Sequence, residues 1–436
     1  MKKVLIITYY WPPAGGPGVQ RWLKFVKYLP DFNIEPIVFI PENASYPMID
    51  ADLEKDVSKN LVILKQPIKE PYKWASYFSK NNTKSISSGI IKPTKKQSLT
   101  EKILLYVRGN YFIPDARVGW VKPSVEYLSD YLKKQPVDAV ITTGPPHSMH
   151  LIGMELKKQF PVQWIADFRD PWTSIGYHKE LKLTEKSALK HKELEKKVLN
   201  SADTIITTSF TTKKEFELLT SKPIRVITNG YDVEQTEKPS LDEKFTISHI
   251  GSLLSQRNPR ILWKALKEIL KENEQFRNDF QLQLIGKVST EILKTLKEFR
   301  LDSYTFTPGY VSHNEALRYQ RSSQLLLLVE IDSYETIGII PGKLFEYMAA
   351  ERPILAIGPE ESDIAKIVKE TNTGKYFNYN ELDNLKNFIL KSYNDYLNKN
   401  LTIFGIGLQY FSRKKLTENL AKIINNGLGI AEGGNF

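Results

Sequence analysis

Short apolar runs alternate with longer amphipathic stretches along almost the whole chain. Residues 4–8 are an apolar run, and apolar residues recur every three or four positions from Val19 to Leu29, after the glycine-rich segment 9–18. A run of four to eight apolar residues predicts a buried strand, whereas the later spacing predicts an amphipathic helix. The order of strand, polar loop and helix then recurs in both halves of the chain.

This repeated order predicts an α/β protein with two doubly wound parallel sheets, because a helix connects each strand to the next parallel one. We expect an N-terminal Rossmann-like domain at residues 1–235, a second at 245–410, and a C-terminal helix and tail at 411–436 that pack back onto the first. The predicted strands are 4–8, 36–40, 61–64, 138–142, 162–166, 204–208, 245–250, 282–285, 304–307, 325–329 and 354–357.

The segment 336–356 combines a glycine loop, an amphipathic helix and a buried strand. Pro341 suits the first turn of a helix and Gly342 allows close approach to the backbone, while Pro353 is expected to end the helix. Lys343 and Glu346 share one face. A helix N-terminus with a nearby lysine attracts phosphate, and a carboxylate accepts hydrogen bonds from sugar hydroxyls, which predicts a nucleotide-sugar site. A surface helix with a solvated Lys/Glu pair is the alternative.

Glycines also follow the first predicted strand. Gly15 and Gly16 lie where backbone N–H groups would face an anion or a sugar, and a tight turn is the alternative. The dinucleotide fingerprint with three spaced glycines is absent from this segment, so a hydride-transfer cofactor is not indicated.

Polar clusters follow two further strands, at residues 143–148 and 167–172. Ligands of open parallel sheets bind at the carboxyl ends of the strands. His147 is a candidate for proton exchange, and Arg169 with Asp170 is a candidate charged pair, so we predict all three as catalytic. A hydrogen-bonded structural histidine is the alternative for His147.

Composition restricts the class of protein. The 436 residues are 41% hydrophobic, enough for two cores, and contain no cysteine, which excludes disulfides and thiolate metal sites. No apolar run reaches the length of a membrane span, and a cytoplasmic location is expected. The formal net charge of +11 indicates an anionic partner.

Much of this charge lies in residues 69–102, which hold eight lysines against two acids together with Tyr72, Trp74, Tyr77 and Phe78. Mixed basic and aromatic residues suit an anionic membrane surface, and we expect peripheral binding there. Nucleic acid is the competing partner, which we do not favour, and a solvated insertion is the third interpretation.

Several further segments occur along the chain in a characteristic order. They are 9–21, 108–115, 143–148, 166–172, 229–232, Gly251 with Arg257, 306–312 with Glu315, and 344–349. Taken together and in order, these segments resemble family 4 of the glycosyltransferases, a retaining group with the GT-B fold of two facing Rossmann-like domains. The resemblance extends to members associated with bacterial surface polysaccharides.

The resemblance implies that the second domain binds a nucleoside diphosphate sugar. Glu346 matches the glutamate that holds the ribose hydroxyls, and Arg257 matches the basic residue that neutralises the diphosphate. The backbone near Tyr310 and Val311 would read the base. On the acceptor side, the resemblance implies that Gly15 and Gly16 line the cleft. It also implies that Arg169 and Asp170 stand near the positions at which many relatives have a His-Asp pair.

Three positions depart from the family pattern. Gly338 replaces the family's first glutamate, Ser252 replaces an arginine, and Arg169 stands near the position of the histidine. We hypothesise that Lys343 supplies the missing phosphate-binding charge. The acid that reaches the sugar would then be Glu335 or Asp332.

The function implied is retaining transfer of a sugar to a saccharide acceptor, lipid-linked in our expectation, during synthesis of bacterial cell-surface polysaccharide. The departing diphosphate would accept the acceptor's proton, so no cofactor and no metal are expected. The Asp50-Ala-Asp52 pattern is interpreted as structural. Two alternatives stay open: a nucleotide-sugar-binding scaffold that has lost catalysis, which Gly338 favours, and a GT-B-like nucleotide-sugar epimerase.

Overall fold

The computed structural model describes residues 1–70, 99–232 and 239–426. The chain divides into two compact units, one formed by Met1–Thr228 with the residues from Arg413 onwards, and the other by Asn229–Ser412. Most of the basic, aromatic insertion expected at 69–102 lies outside the described residues, and so does part of the polar stretch before residue 245. No described helix is both long and apolar enough to cross a membrane.

The first unit is built on a parallel sheet of seven strands in the order β3-β2-β1-β4-β5-β6-β7. Successive strands are added outwards from β1 to β3 on one side of the sheet, and from β4 to β7 on the other. The boundary between β1 and β4 is therefore the topological switch point of a doubly wound fold. The strands are β1 (Lys2–Ile7), β2 (Ile34–Pro41), β3 (Val62–Gln66), β4 (Ala139–Gly144), β5 (Gln163–Phe168), β6 (Thr204–Thr207) and β7 (Ile224–Val226).

Helices cover both faces of this sheet. On β1, Leu5 and Ile7 join one apolar cluster whereas Val4 and Ile6 join the other, as the alternation of side chains along a strand requires. The helices are α1 (Pro17–Tyr28), α2 (Leu99–Tyr111), α3 (Val121–Lys134), α4 (Ser148–Gln159), α5 (Glu185–Ser201), α6 (Phe210–Glu217) and, from the end of the chain, α14 (Arg413–Asn426).

The C-terminal helix belongs to the first unit, as the sequence predicted. Leu416, Leu420 and Ile424 of α14 are buried in the same cluster as Trp22 and Val26 of α1. The i, i+4, i+8 spacing of the three α14 residues places them on one helix face, which is why this face packs onto the unit.

The second unit contains a parallel sheet of six strands in the order β10-β9-β8-β11-β12-β13. Its strands β8, β11 and β12 have the predicted bounds, so the expectation of two Rossmann-like sheets is confirmed. The strands are β8 (Phe245–Ile250), β9 (Phe280–Ile285), β10 (Thr305–Gly309), β11 (Leu325–Val329), β12 (Ile354–Ile357) and β13 (Gly374–Phe377).

The helix of the segment 336–356 is shorter than the sequence suggested. Pro341 is the N-cap of α11 and not part of its first turn, and the helix ends at Ala349, before Pro353. Glu351 has a positive φ of 56°, which turns the chain into β12. The helices of this unit are α7 (Arg260–Glu272), α8 (Glu274–Asp279), α9 (Thr290–Glu298), α10 (His313–Ser322), α11 (Gly342–Ala349), α12 (Asp363–Glu370) and α13 (Leu382–Leu397).

Candidate functional site

A small charged cavity lies at the carboxyl end of β11 in the second unit. Its volume is about 70 Å³, and its walls come from the end of β11, the loop 336–341, the start of α11 and the turn before α7. Arg257, Glu330 and Lys343 all line it. Cationic side chains beside the N-terminal end of a helix favour an anionic ligand, since both the charges and the backbone N–H groups attract it.

Lys343 is held in this cavity by a buried histidine. His249 is 1% exposed, and its Nδ1 donates to the Leu327 carbonyl oxygen at 3.0 Å. Burial and the charge of Lys343 keep the His249 pKa well below its usual value, so Nε2 accepts from the Lys343 ammonium group at 3.3 Å. Gly251 makes room for this contact, because a Cβ there would lie 2.7 Å from Lys343 Nζ.

Charges in the cavity shift one another's titration. Burial, with the nearby Arg257 charge, lowers the Lys343 pKa to about 8. Burial also lowers the pKa of the Arg257 guanidinium, while the Glu330 carboxyl opposes that change. In turn, burial raises the Glu330 pKa to about 7. Buried groups with shifted pKa values that share a cavity mark a candidate site.

Glu346 lies one turn further along α11 than Gly342 and Lys343. Gln320, which is 2% exposed on α10, donates from Nε2 to Glu346 Oε2 at 2.9 Å. This bond fixes the carboxylate and leaves lone pairs for further donors, such as sugar hydroxyls.

Three glycines with positive φ lie at the carboxyl ends of adjacent strands of the same sheet. Gly251 and Gly286 follow β8 and β9, Gly309 ends β10, and their φ values are 119°, 118° and 83°. Gly286 N–H donates to the Gly309 carbonyl oxygen at 2.7 Å, and Gly251 N–H donates to the Ile285 carbonyl oxygen at 2.7 Å. The predicted base-reading residues Tyr310 and Val311 come directly after Gly309, and the Tyr310 side chain is 93% exposed. They therefore lie at the same edge of the sheet as the cavity.

The two acids proposed to replace the missing first glutamate are both exposed. Glu335 lies in the 3-10 turn Tyr334–Thr336, and Asp332 precedes that turn. Glu330 is the acid that lines the cavity. Sequence reasoning missed it because it follows an apolar strand, with no charge partner close in sequence.

In the first unit, Arg169 packs against the start of α1. A Cβ on Gly18 would lie 1.6 Å from Arg169 Nη1, so only glycine allows the guanidinium group this position. Arg169 also donates to the Pro145 carbonyl oxygen and lies 5.9 Å from the Tyr10 ring centroid. The loops after β1, β4 and β5 thus meet at one side chain. Gly15 and Gly16 precede α1 in the same loop.

Asp170 and His147 differ from Arg169 in their surroundings. Burial raises the Asp170 pKa above its ordinary value, and Arg169 opposes this shift. His147 is 4% exposed and stacks on Trp172 with ring centroids 5.0 Å apart. In the described part of the chain neither of its ring nitrogens has a hydrogen-bond partner, and burial holds its pKa far below 6.5. These surroundings favour a packing role.

Other polar residues of the first-unit motifs hold the loops together. Asp167 is fully buried and accepts from Arg21 Nη2 at 2.9 Å, Trp22 Nε1 at 2.8 Å and Thr143 Oγ1 at 2.8 Å. Asp115 accepts from both Ser148 N–H and Ser148 Oγ at 2.8 Å, at the start of α4. These bonds show that the two acids position α1 and α4 on the sheet.

Metal ligands are not grouped in either unit as far as the structure describes them: no three histidine, aspartate or glutamate side chains are arranged to hold a metal ion there.

The two Rossmann-like sheets are those of the GT-B fold, and comparison with known families identifies the chain as a glycosyltransferase. The model "Glycosyltransferase Family 4" matches residues 90–235, and "Glycosyl transferases group 1" matches residues 244–395. The chain belongs to this group of enzymes, with family 4 as the match in its first unit. No curated protein sequence matches it.

Solved structures share this fold at low sequence identity. The lipopolysaccharide outer core galactosyltransferase WaaB is 14% identical, with 98% of this chain and 99% of that chain covered and a TM-score of 0.58. S. aureus TarM, in a complex that includes UDP, is 14% identical, with 98% and 100% covered and a TM-score of 0.57. A putative UDP-N-acetylglucosamine 2-epimerase from Listeria monocytogenes is 12% identical, with 97% and 96% covered and a TM-score of 0.55.

Proposed function

We propose that this glycosyltransferase binds a nucleoside diphosphate sugar in the second unit and transfers the sugar, with retention of configuration, to a saccharide acceptor. The observation that carries the proposal is the cavity in which Arg257 and Lys343 lie together, with Glu346 one turn further along α11. The two cations would stabilise charge on the departing diphosphate, and Glu346 would hold the ribose. The diphosphate itself would accept the acceptor's proton, so the proposed reaction uses no metal.

We assign the acceptor to the first unit, with Arg169 and Asp170 as the groups that contact it and His147 packed against Trp172. The proposed acceptor is a lipid-linked saccharide of bacterial surface polysaccharide, reached from the cytoplasmic side of an anionic membrane. The lysine-rich composition of residues 69–102 supports this assignment. Vesicle co-sedimentation without a preference for anionic lipid would count against it.

A thermal-shift screen against UDP, GDP, ADP, CMP and dTDP tests the donor site. Ligand at one hundred times its dissociation constant adds about 2.7 kcal/mol of stability, which is readily measured. We expect one nucleotide to stabilise the wild type, but neither Glu346→Ala nor Arg257→Ala. Lys264→Ala, which removes an exposed cation on α7, is the matched control. No response to any nucleotide would contradict the proposal.

An epimerase is the second candidate, because an epimerase is among the structures that share the fold. The bound nucleotide sugar, incubated without acceptor, distinguishes the two: an epimerised sugar would favour the second candidate. A scaffold protein that has lost catalysis is the third candidate, which the glycine at position 338 favours. It would bind the nucleotide sugar but would neither transfer nor epimerise the sugar.

A further inference from the structure

The Glu330 carboxyl group is fixed in the wall of the charged cavity. Its Oε1 accepts from Ser362 Oγ at 2.9 Å and its Oε2 from Tyr376 Oη at 2.7 Å. The backbone of Gly358 packs against it, because a Cβ at that position would lie 2.4 Å from Oε2. Glu330 is 5% exposed, so its carboxyl group has little room to turn away from the cavity.

Tyr376 has two acceptors for its single phenolic hydrogen. Its Oη lies 2.7 Å from Glu330 Oε2 and also 2.7 Å from the Pro359 carbonyl oxygen. When Glu330 is ionised, Tyr376 donates to it. When Glu330 is protonated, its O–H donates to Tyr376 Oη, and Tyr376 donates to Pro359. Both forms of Glu330 are therefore fully hydrogen-bonded, which lowers the cost of exchanging a proton in a buried site.

Several titratable groups face Glu330 from the surrounding elements. Burial is the largest influence and raises its pKa to about 7; Asp363 acts in the same direction, whereas Arg257 and the bonds from Tyr376 and Ser362 oppose it. Burial also raises the pKa of Tyr376, so this phenol stays a donor. The remaining groups are Lys343, across the cavity, and Tyr379, whose hydroxyl donates to the Glu330 carbonyl oxygen at 2.8 Å.

We propose that Glu330 takes up a proton from water when the diphosphate of the donor binds beside Arg257 and Lys343, while Tyr376 turns its hydroxyl to Pro359. This inference rests on the proposed donor site. An ionised Glu330 would repel the diphosphate within the same buried cavity, where charges are weakly screened. Because the carboxyl group is fixed, protonation relieves that repulsion, and the two cations then serve the phosphates alone.

Calorimetric titration at pH 7 in HEPES and in Tris tests the proposal, since the difference in heat between the buffers counts the protons taken up. The probes are UDP-glucose, UDP-N-acetylglucosamine, GDP-mannose, ADP-glucose and dTDP-glucose, whose phosphates are all esterified and exchange no proton near pH 7. We expect the probe that binds to carry a measurable fraction of a proton into the wild type, because burial raises the Glu330 pKa to about 7.

The variant Glu330→Gln keeps the shape of the neutral acid and should lose most of this uptake. Glu360→Gln removes an exposed carboxylate from the loop after β12, which also contains Pro359, and should keep the uptake. Equal uptake in the wild type and Glu330→Gln, or none in either, would overturn the inference alone. If none of the five probes bound, the proposed function itself would fail.

Affinity as a function of pH gives a second readout. We expect the wild type and Glu330→Gln to bind alike at pH 6, and the variant to bind on the order of tenfold tighter at pH 8.5, where the wild type must first be protonated. Weaker binding by Glu330→Gln at every pH would show that the donor needs the ionised carboxylate, and would overturn the inference.

Tyr376→Phe provides an independent variant if Glu330→Gln does not fold. It removes the hydroxyl that stabilises the ionised form most, since hydrogen bonds to charged groups are the stronger ones. The Glu330 pKa should rise, and the loss of affinity with increasing pH should move to higher pH. An unchanged pH profile would contradict the proposed exchange.

Discussion

The carboxyl edges of the two sheets differ in how their charged groups are partnered. In the first unit Asp167 accepts three hydrogen bonds and is fully buried. In the second, Arg257, Glu330 and Lys343 face a common cavity, and their pKa values shift towards neutrality. The first edge is therefore largely committed to holding loops on the sheet, whereas the second keeps charge available for a ligand. A dense polar motif by itself does not distinguish these two uses.

Replacing Asp167 should have the largest effect on stability. Asp167→Ala leaves the Arg21 guanidinium, itself 5% exposed, without its buried carboxylate, and breaking such a pair costs about 3–5 kcal/mol. Calorimetry should show a lower transition temperature, while Asp52→Ala, which removes an exposed acid, should change little. A neutral outcome for Asp167→Ala would mean that the first edge is not held together as described.

Two buried groups, one in each unit, should respond to acid in opposite directions. Burial lowers the His150 pKa to about 3, so the unfolded chain binds the proton first, and stability falls as pH decreases from 6.5 towards 3. For this fully buried group the loss is about 2 kcal/mol at pH 5. Glu330 contributes in the opposite direction, because its raised pKa makes the second unit more stable as the pH falls through 7. His150→Gln should flatten the acid dependence of the first unit measured by hydrogen exchange; an unchanged slope would contradict this assignment.

Gly18→Ala should have a smaller effect, confined to Arg169. The added methyl group would displace the guanidinium, and we expect a loss of about tenfold in kcat/KM, which corresponds to about 1.4 kcal/mol. Gly119→Ala is the control, because a Cβ at Gly119 meets no atom within 4 Å. If Arg169 carries the effect, Gly18→Ala should add little to Arg169→Ala. If the kcat/KM losses of the two single variants added up in the double variant, Gly18 would act independently of Arg169, which would contradict this prediction.

The fold could be predicted from the sequence because it depends on local patterns. Strands β11 and β12 are short apolar runs between polar loops, whereas β8 mixes apolar with polar residues. The observed bounds of all three strands are those predicted from the sequence. The end of α11 could not be predicted from the pattern, because the positive φ at Glu351, and not Pro353, directs the chain into β12. A left-handed residue just after a helix is usually glycine or asparagine, so the glutamate at position 351 gave no sequence signal for this turn.

The candidate site could be predicted only where its residues are close in sequence. Lys343 and Glu346 share one helix, so the spacing indicated them. His249, Gln320 and Tyr376 reach the site from other strands and helices, and their roles follow from distances that no spacing encodes. In the first unit the motif around Asp167 was recognisable, but its structural role depends on burial.

Calorimetric titration of the stabilising nucleotide into Lys343→Met and Arg169→Met tests the central claim most directly. Each variant removes one cation, from the second and the first sheet edge respectively. We expect Lys343→Met to lose about 10- to 100-fold in affinity, as for one charge-assisted hydrogen bond, and Arg169→Met to bind like the wild type. The reverse pattern, with affinity lost in Arg169→Met and kept in Lys343→Met, would contradict a donor site at the edge of the second sheet.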